Sequence, residues 1–429
     1  MLIEAHTDAS ARENAPTKPP RVMRTRFNHL QVVLKTAERC NLACSYCYYF
    51  FGGDESYRER PAVINEKTIR SIARYLVDGC LELGIPNLLL AFHGGEPMMQ
   101  KPRNFARMCE IFEEAAGGRI RIEFSMQTNG TLIDDRWLPL LHRHAVSVGV
   151  SVDGTKEVHD RYRIDHFGRG SYDRVAKGLA AIRGSNTSES SLNVGSISVL
   201  GPKQDYRETY RTLRKELQLD SMSFLLPDTS HDQGIPDGAT ALDYGRALCD
   251  IFDEWVAEDQ ASVTVRQVRD FLTHFQQRKE PPVISAPMPE SFGDGKSVNE
   301  FQIIVIHSDG KVAVNDSYIP ALDWQQKAPQ MHVDEQSLGE FLNHDVFDEL
   351  DRAMQTLPDG CRDCRWKRVC RGGDLENRYS RARGFDNPSV YCEGLKLFYS
   401  HVERYLVESG YPRELFDRKL ANAGAALRE

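Results

Sequence analysis

Apolar positions along this chain follow two patterns that take turns. Some short segments, such as 29–34 and 87–92, are apolar almost throughout. In others, apolar residues return every three or four positions: Ile69, Ile72, Ala73, Leu76, Val77, Cys80 and Leu83 do so within 65–83. A continuous short run is what a strand buried on both faces requires, and the 3.6-residue period is that of a helix with one buried face. The sequence thus predicts strands at 29–34, 87–92, 120–126, 146–152, 192–200 and 221–226. Helices are predicted between them at 65–83, 102–115, 133–144, 171–184 and 205–217. Strands alternating with helices imply right-handed βαβ units and a parallel sheet.

After residue 228 the pattern changes. Residues 239–259 and 262–278 read as amphipathic helices. A Pro/Gly-rich stretch, 280–297, reads as a connector. Runs at 301–306 and 311–314 flank Asp309-Gly310 and predict a β-hairpin. The expected organisation is a flexible tail at 1–27, a β/α core at 28–230, a helical bridge and linker at 231–297, a second domain at 298–400, and a helix and tail at 401–429.

Composition narrows the setting. No apolar run is long enough to span a membrane, and residues 1–24 lack the apolar core of a signal peptide. A cytoplasmic, reducing location follows, which suits ten cysteines meant for metal rather than for disulfides. The net charge of −8 gives no footprint for a phosphate backbone, so neither nucleic acid nor membrane is expected as a partner.

The cysteines carry the chemistry. Cys40, Cys44 and Cys47 stand at C-x3-C-x2-C directly after the first strand. Thiolates are soft ligands for iron–sulfur clusters or zinc. Structural zinc wants four protein ligands, and this loop offers three. A [4Fe–4S] cubane held by three thiolates keeps one iron open. Near the other end, Cys361-x2-Cys364-x5-Cys370 is followed by Cys392. Four cysteines make a closed metal site, and on spacing alone zinc and a [4Fe–4S] cluster are both served. Cys80, Cys109 and Cys249 lie on helical faces and read as core residues.

Further motifs follow successive strands: His93-Gly94-Gly95-Glu96-Pro97, Gln127-Thr128-Asn129-Gly130 and Ser151-Val152-Asp153-Gly154. With the three-cysteine loop they resemble the radical S-adenosylmethionine (AdoMet, SAM) superfamily. That resemblance implies an α/β fold, a partial TIM-like (β/α)6 barrel, with ligands at the C-terminal ends of its strands. It implies a [4Fe–4S] cluster on Cys40, Cys44 and Cys47 with AdoMet on the open iron. AdoMet contacts then fall on Tyr46, Gly94, Gly95, Glu96, Gln127, Asn129, Ser151 and Asp153, with Arg163 or Arg174 on its carboxylate. A flavodoxin or ferredoxin-type protein is the expected electron donor.

The C-terminal cysteines resemble the SPASM (twitch-like) iron–sulfur extension of peptide-modifying members, which normally carries two auxiliary clusters. The chain departs from that pattern: Asp374 and Asn315 stand where a full extension has cysteines, and no cysteine lies between Cys249 and Cys361. The four that remain are those of the second auxiliary cluster, so two [4Fe–4S] clusters are expected in all. Asp316 matches a catalytic aspartate of the sulfatase-maturing branch and is the expected general base. The run from Asn377 to Cys392, and the start of the barrel, resemble the Xye, Grr and Fxs three-residue cyclophane synthases. These join an aromatic side chain to the β-carbon of a residue two positions on, in a ribosomally made precursor peptide, through a 5′-deoxyadenosyl radical. The resemblance leaves open thioether formation, epimerisation and formylglycine maturation of sulfatases. A non-catalytic iron–sulfur or zinc peptide-binding protein is the reading from another class.

Overall fold

The computed structural model describes residues 28–259, 262–275 and 303–422. The expected tail at 1–27 and the 280–297 connector lie outside the described residues, as does the end of the C-terminal tail. Six strands form in the expected order: β1 (His29–Ala37), β2 (Asn87–Gly94), β3 (Arg121–Thr128), β4 (Ser147–Ser151), β5 (Val194–Val199) and β6 (Ser221–Leu225). Each pairs in parallel with the next. On β1, Leu30, Val32 and Leu34 are fully buried. On β2 the same face carries Leu88, Leu90 and Phe92, also fully buried. The helix Glu66–Leu83 adds Ile69, Ile72 and Leu76 to this core. Asn65 caps that helix by accepting from the Thr68 amide, and Gly84, at φ 69°, ends it.

The sheet does not close on itself. A short β7 (Thr264–Val265) extends it beyond β6. On the other side β8 (Ile303–Ile306) pairs in parallel with β1, β9 (Lys311–Val314) returns antiparallel to β8, and β10 (Met331–His332) follows. The strand order is β10-β9-β8-β1-β2-β3-β4-β5-β6-β7. The architecture is therefore α/β with an open, partial barrel. The predicted hairpin turns at Gly310, with φ 92°, and continues the barrel sheet.

Three helices differ from expectation. The predicted 133–144 shortens to Leu138–Arg143, because Pro139 has no amide hydrogen and sits where a helix begins. The predicted 205–217 is α-helical only over Tyr206–Arg211 and then widens into a π turn over Thr212–Glu216. The predicted 262–278 splits into β7 and the helix Arg266–Thr273. Helix Ala241–Glu258 lies on the long helix Cys392–Glu408. A Cβ on Gly245 would come within 2.5 Å of the Gly394 carbonyl oxygen, so two glycines let these backbones touch. Among the described residues no helix is long and apolar enough to cross a membrane.

Candidate active site at the mouth of the barrel

The three-cysteine loop leaves β1 at the C-terminal mouth of the barrel. It is held by backbone bonds to a distant segment: the Ala43 amide donates to Ile164 (2.7 Å) and the Ser45 amide to Tyr162 (3.0 Å). Cys40, Cys44 and Cys47 are free thiols, each partly exposed. Without a metal, burial pushes the Cys40 thiol up to about 12 and Cys44 up to about 11. A cation at the loop is what makes their thiolates affordable.

The glycines of the Gly94-Gly95 turn serve the loop itself. A Cβ on Gly94 would lie 2.0 Å from the Ala37 carbonyl oxygen, and one on Gly95 would lie 2.3 Å from that of Arg39. The close approach they permit is to the exit of β1. Glu96 is fully buried, and its carboxylate accepts from the Met98 amide (3.0 Å), the Thr128 hydroxyl (2.8 Å) and the Asn129 amide (2.7 Å). It staples the end of β2 to the end of β3. Burial pushes it up to about 7 against those three donors.

Asn129 faces the loop, with its amide 2.8 Å from Asn41 Oδ1 and 3.7 Å from Cys40 Sγ. Gln127 donates to Ser151 Oγ at 2.9 Å, linking β3 and β4. Arg163 and Arg174 are now distinguished. Arg163 is buried, bonds both Asp153 oxygens (2.8 and 3.2 Å) and stands 5.3 Å from the Tyr46 ring. The Tyr46 hydroxyl closes the set on Asp153 at 2.5 Å. Arg174 instead lies on Asp165 at 3.7 Å, with its side chain open to solvent. Tyr46, Asp153 and Arg163 therefore form one unit beside the loop.

A second unit was not anticipated. Lys35, fully buried on β1, pairs with Asp316 just after β9 and lies 3.2 Å from His93 Nδ1. The Tyr48 hydroxyl, beside Cys47, also donates to Asp316 at 3.0 Å. Burial opposes ionisation of Asp316, but Lys35 and these donors outweigh it and hold the carboxyl down to about 2. His93 is pushed down to about 3 by burial and by Lys35, so it is neutral and the stabilising cation is Lys35. Next to this pair Glu38, fully buried, accepts from Tyr49, from His307 (3.3 Å) and from the Ser308 amide (3.1 Å). These contacts weld the cysteine loop to the β8–β9 hairpin.

Asp228, three residues past β6, completes the mouth. Its side chain has accessible surface, yet burial is the leading cause that pushes its carboxyl up to about 7, followed by the charges of Asp316 and Asp374. Asp228 is exposed, and it lies close enough to both acids for their charges to reach it. Nothing in the sequence singled it out beyond its place at the end of a barrel strand. Lys35 had a signal, since a lysine on a strand buried on both faces needs a partner.

The second cysteine set also comes together. Cys361, Cys364, Cys370 and Cys392 line one small cavity, with Trp366, Lys367, Leu395, Lys396 and Tyr399 among its walls. The thiols ring the space: among the described residues no three His, Cys, Asp or Glu side chains converge on a single ion.

An open parallel α/β barrel with three free thiols at its mouth, and among the described residues no fourth protein ligand beside them, is the arrangement of an AdoMet-dependent iron–sulfur enzyme. The profile of the radical SAM superfamily matches residues 34–215, most of the β/α core. The chain is related to anaerobic sulfatase-maturating enzymes. It is 25% identical to the cysteine-type enzyme of Clostridium novyi, over 86% of this chain and 94% of that protein. It is 27% identical to the serine-type enzyme of Bacteroides thetaiotaomicron, over 86% and 87%. Solved structures of native anSMEcpe, with bound AdoMet alone or with the Cp18Cys peptide as well, share the fold at TM-score 0.71 and 21% identity, covering 89% of this chain and 98% of theirs.

Proposed function

We propose that this enzyme oxidises a ribosomally made precursor peptide, joining an aromatic side-chain carbon to the β-carbon of a residue two positions on. The observation that carries this reading is the altered cysteine set: Asn315 and Asp374 replace cysteines while Cys361, Cys364, Cys370 and Cys392 still share one cavity. Iron and sulfide analysis is expected to give about eight of each per chain, four per cubane; about twelve would overturn the two-cluster assignment.

With the cluster on Cys40, Cys44 and Cys47, AdoMet supplies a hydrogen-atom acceptor strong enough for an unactivated carbon–hydrogen bond. The protein binds, orients and excludes water. Tyr46, Asp153 and Arg163 would form a polar wall beside the cluster, and Arg163 would hold the AdoMet carboxylate. Gly94, Gly95 and Glu96 hold the turn against the loop, and Gln127, Asn129 and Ser151 offer polar atoms to the nucleoside. The four-cysteine cavity suits a cluster that takes one thiolate per iron, an outlet for the electron leaving the peptide. Asp316 and Asp228 are the two carboxyls closest to that chemistry, Asp316 paired to Lys35 and Asp228 without a cation partner. A flavodoxin or ferredoxin-type protein is the proposed donor.

A second reading, formylglycine formation, is favoured by the names of the relatives and by Asp316. Mass spectrometry of the co-expressed precursor separates the two. Cross-linking removes two hydrogens and leaves thiols free and no aldehyde; formylglycine gives an aldehyde that a hydrazide captures. An aldehyde product would overturn the cross-linking reading.

A further inference from the structure

Asp316 and Asp228 are close enough for their charges to interact, but their circumstances differ. Asp316 is locked: a buried lysine, a tyrosine hydroxyl and a neutral histidine surround it. A carboxylate so well neutralised gains little by accepting a proton. Asp228 is free. Among the described residues its carboxylate accepts no hydrogen bond and meets no cation at ion-pair distance, and the charged groups that face it, Asp316 and Asp374, are both acidic. Tyr48 and Tyr391 feel its charge as well.

Its backbone, in contrast, is fixed. The Tyr391 hydroxyl donates to the Pro227 carbonyl at 3.0 Å, and the Asn377 amide donates to the Thr229 carbonyl at 2.9 Å. The residues before and after Asp228 are thus gripped from the segment between Cys370 and Cys392, and Tyr391 directly precedes Cys392. The grip continues: the His231 amide donates to Tyr379 (2.9 Å), and the Arg381 amide to Asp232 (2.8 Å). A free carboxylate on a clamped backbone, at the end of a barrel strand, is the arrangement a positioned base needs.

We propose that Asp228 takes the proton released when the peptide is oxidised, and that Asp316, tied to Lys35, is a fixed counter-charge beside it. This rests on the cross-linking reading above. The peptide loses two hydrogens. One leaves as a hydrogen atom to the AdoMet-derived fragment. The other leaves its carbon as a proton to an Asp228 oxygen, and its bonding electron passes to a one-electron acceptor of the iron–sulfur class; one carbon–carbon bond forms. Burial and the two acidic neighbours push Asp228 up to about 7, which suits a group that must accept a proton near neutral pH and then release it.

The test uses the holoenzyme labelled with carbon-13 aspartate. Infrared pH titration is expected to show an aspartic acid band that ionises near neutrality. The band should vanish in Asp228→Asn. In Asp316→Asn it should remain but move to lower pH, since a nearby negative charge is gone. A band that persists in Asp228→Asn, or its absence from the wild type, overturns the proposal. With a synthetic peptide carrying an aromatic-x-x triplet, Asp228→Asn should still release 5′-deoxyadenosine but form about 100-fold less product per 5′-deoxyadenosine, and Asp228→Glu should recover much of it with a displaced pH profile. Wild-type coupling in Asp228→Asn overturns the proposal. A wild-type enzyme that cleaves AdoMet and leaves every such peptide unchanged overturns the functional reading instead, and the infrared result stands apart from it.

Discussion

Around Cys40, Cys44 and Cys47 the chain has gathered charges and paired them: Arg163 with Asp153, Lys35 with Asp316, and Glu38 with its three donors. Around Cys361, Cys364, Cys370 and Cys392 it has gathered rings. Trp366 lies 5.5 Å from Tyr399 and 6.0 Å from Phe271, and Phe271 stacks on Tyr399 at 5.2 Å. The first site has three thiols and a polar wall, so a polar ligand can enter and be held. The second has four thiols among aromatic rings, with Lys367 and Lys396 also lining the cavity. The difference lies in the walls: paired charges and one thiol fewer at the first site, rings and a full set of four thiols at the second.

The largest effect expected from that difference is on chemistry. Cys40→Ala should abolish 5′-deoxyadenosine release. Cys361→Ala/Cys364→Ala should lose about half the iron, one cubane of two, yet still cleave AdoMet with dithionite. Product formation at the wild-type rate in that double variant would break the comparison, because the four-cysteine site would then carry no electron.

Stability should separate the sites next. Lys35→Met leaves Asp316 unpaired in a buried place and is expected to cost about 3–5 kcal/mol in denaturant unfolding. Lys35→Met/Asp316→Leu should recover most of it, since an apolar pair of similar volume is tolerated. Trp366→Ala should cost a similar about 3–5 kcal/mol through the cavity it leaves, with no charge partner whose removal restores it.

Acid should sharpen the contrast. Asp316 and Glu38 are both held down to about 2, below the ordinary carboxylate range. Groups lowered by folding contribute stability that is present above their unfolded values and is lost as pH falls through the folded ones. Unfolding followed by tryptophan and tyrosine signals should therefore show the loop-and-hairpin weld weakening between about pH 4 and pH 2. In Lys35→Met/Asp316→Leu the Asp316 share of that loss should be absent. Asp228 has the opposite sign. Its raised value means that stability is lost as pH rises through about 7, so Asp228→Asn should raise the melting temperature at pH 8 and change it less at pH 5. The smallest effect is expected for Asn377→Ala, about 1–3 kcal/mol for unsatisfied buried carbonyls, together with looser placement of Asp228.

The barrel was legible because its strands keep a short apolar run, as in 87–92, or a strict apolar alternation, as in Val146-Ser147-Val148-Gly149-Val150-Ser151-Val152, between helical periods. The cysteine sets were legible because thiol ligands come in short, fixed spacings. Lys35 was not placed, since its partner Asp316 lies 281 residues away; no local pattern encodes such a pair. Asp228 reads in sequence as one more polar residue after a strand. Only the clamp from Asn377 and Tyr391 and the neighbouring acids give it meaning. Glu96 reads as a ligand residue, whereas its carboxylate is already occupied by three protein donors.

The parallel pairing of β8 with β1 bears on how the chain can be divided. A fragment ending near residue 230 would present β1 as a bare edge, with backbone donors and acceptors from Gln31 to Leu34 that β8 now satisfies. It would also carry Lys35 without Asp316. Such a fragment would have both an open template for another chain's strand and an uncompensated interior cation. The barrel and the hairpin are thus expected to melt in one transition, and expression of the barrel alone should yield aggregate rather than a smaller enzyme.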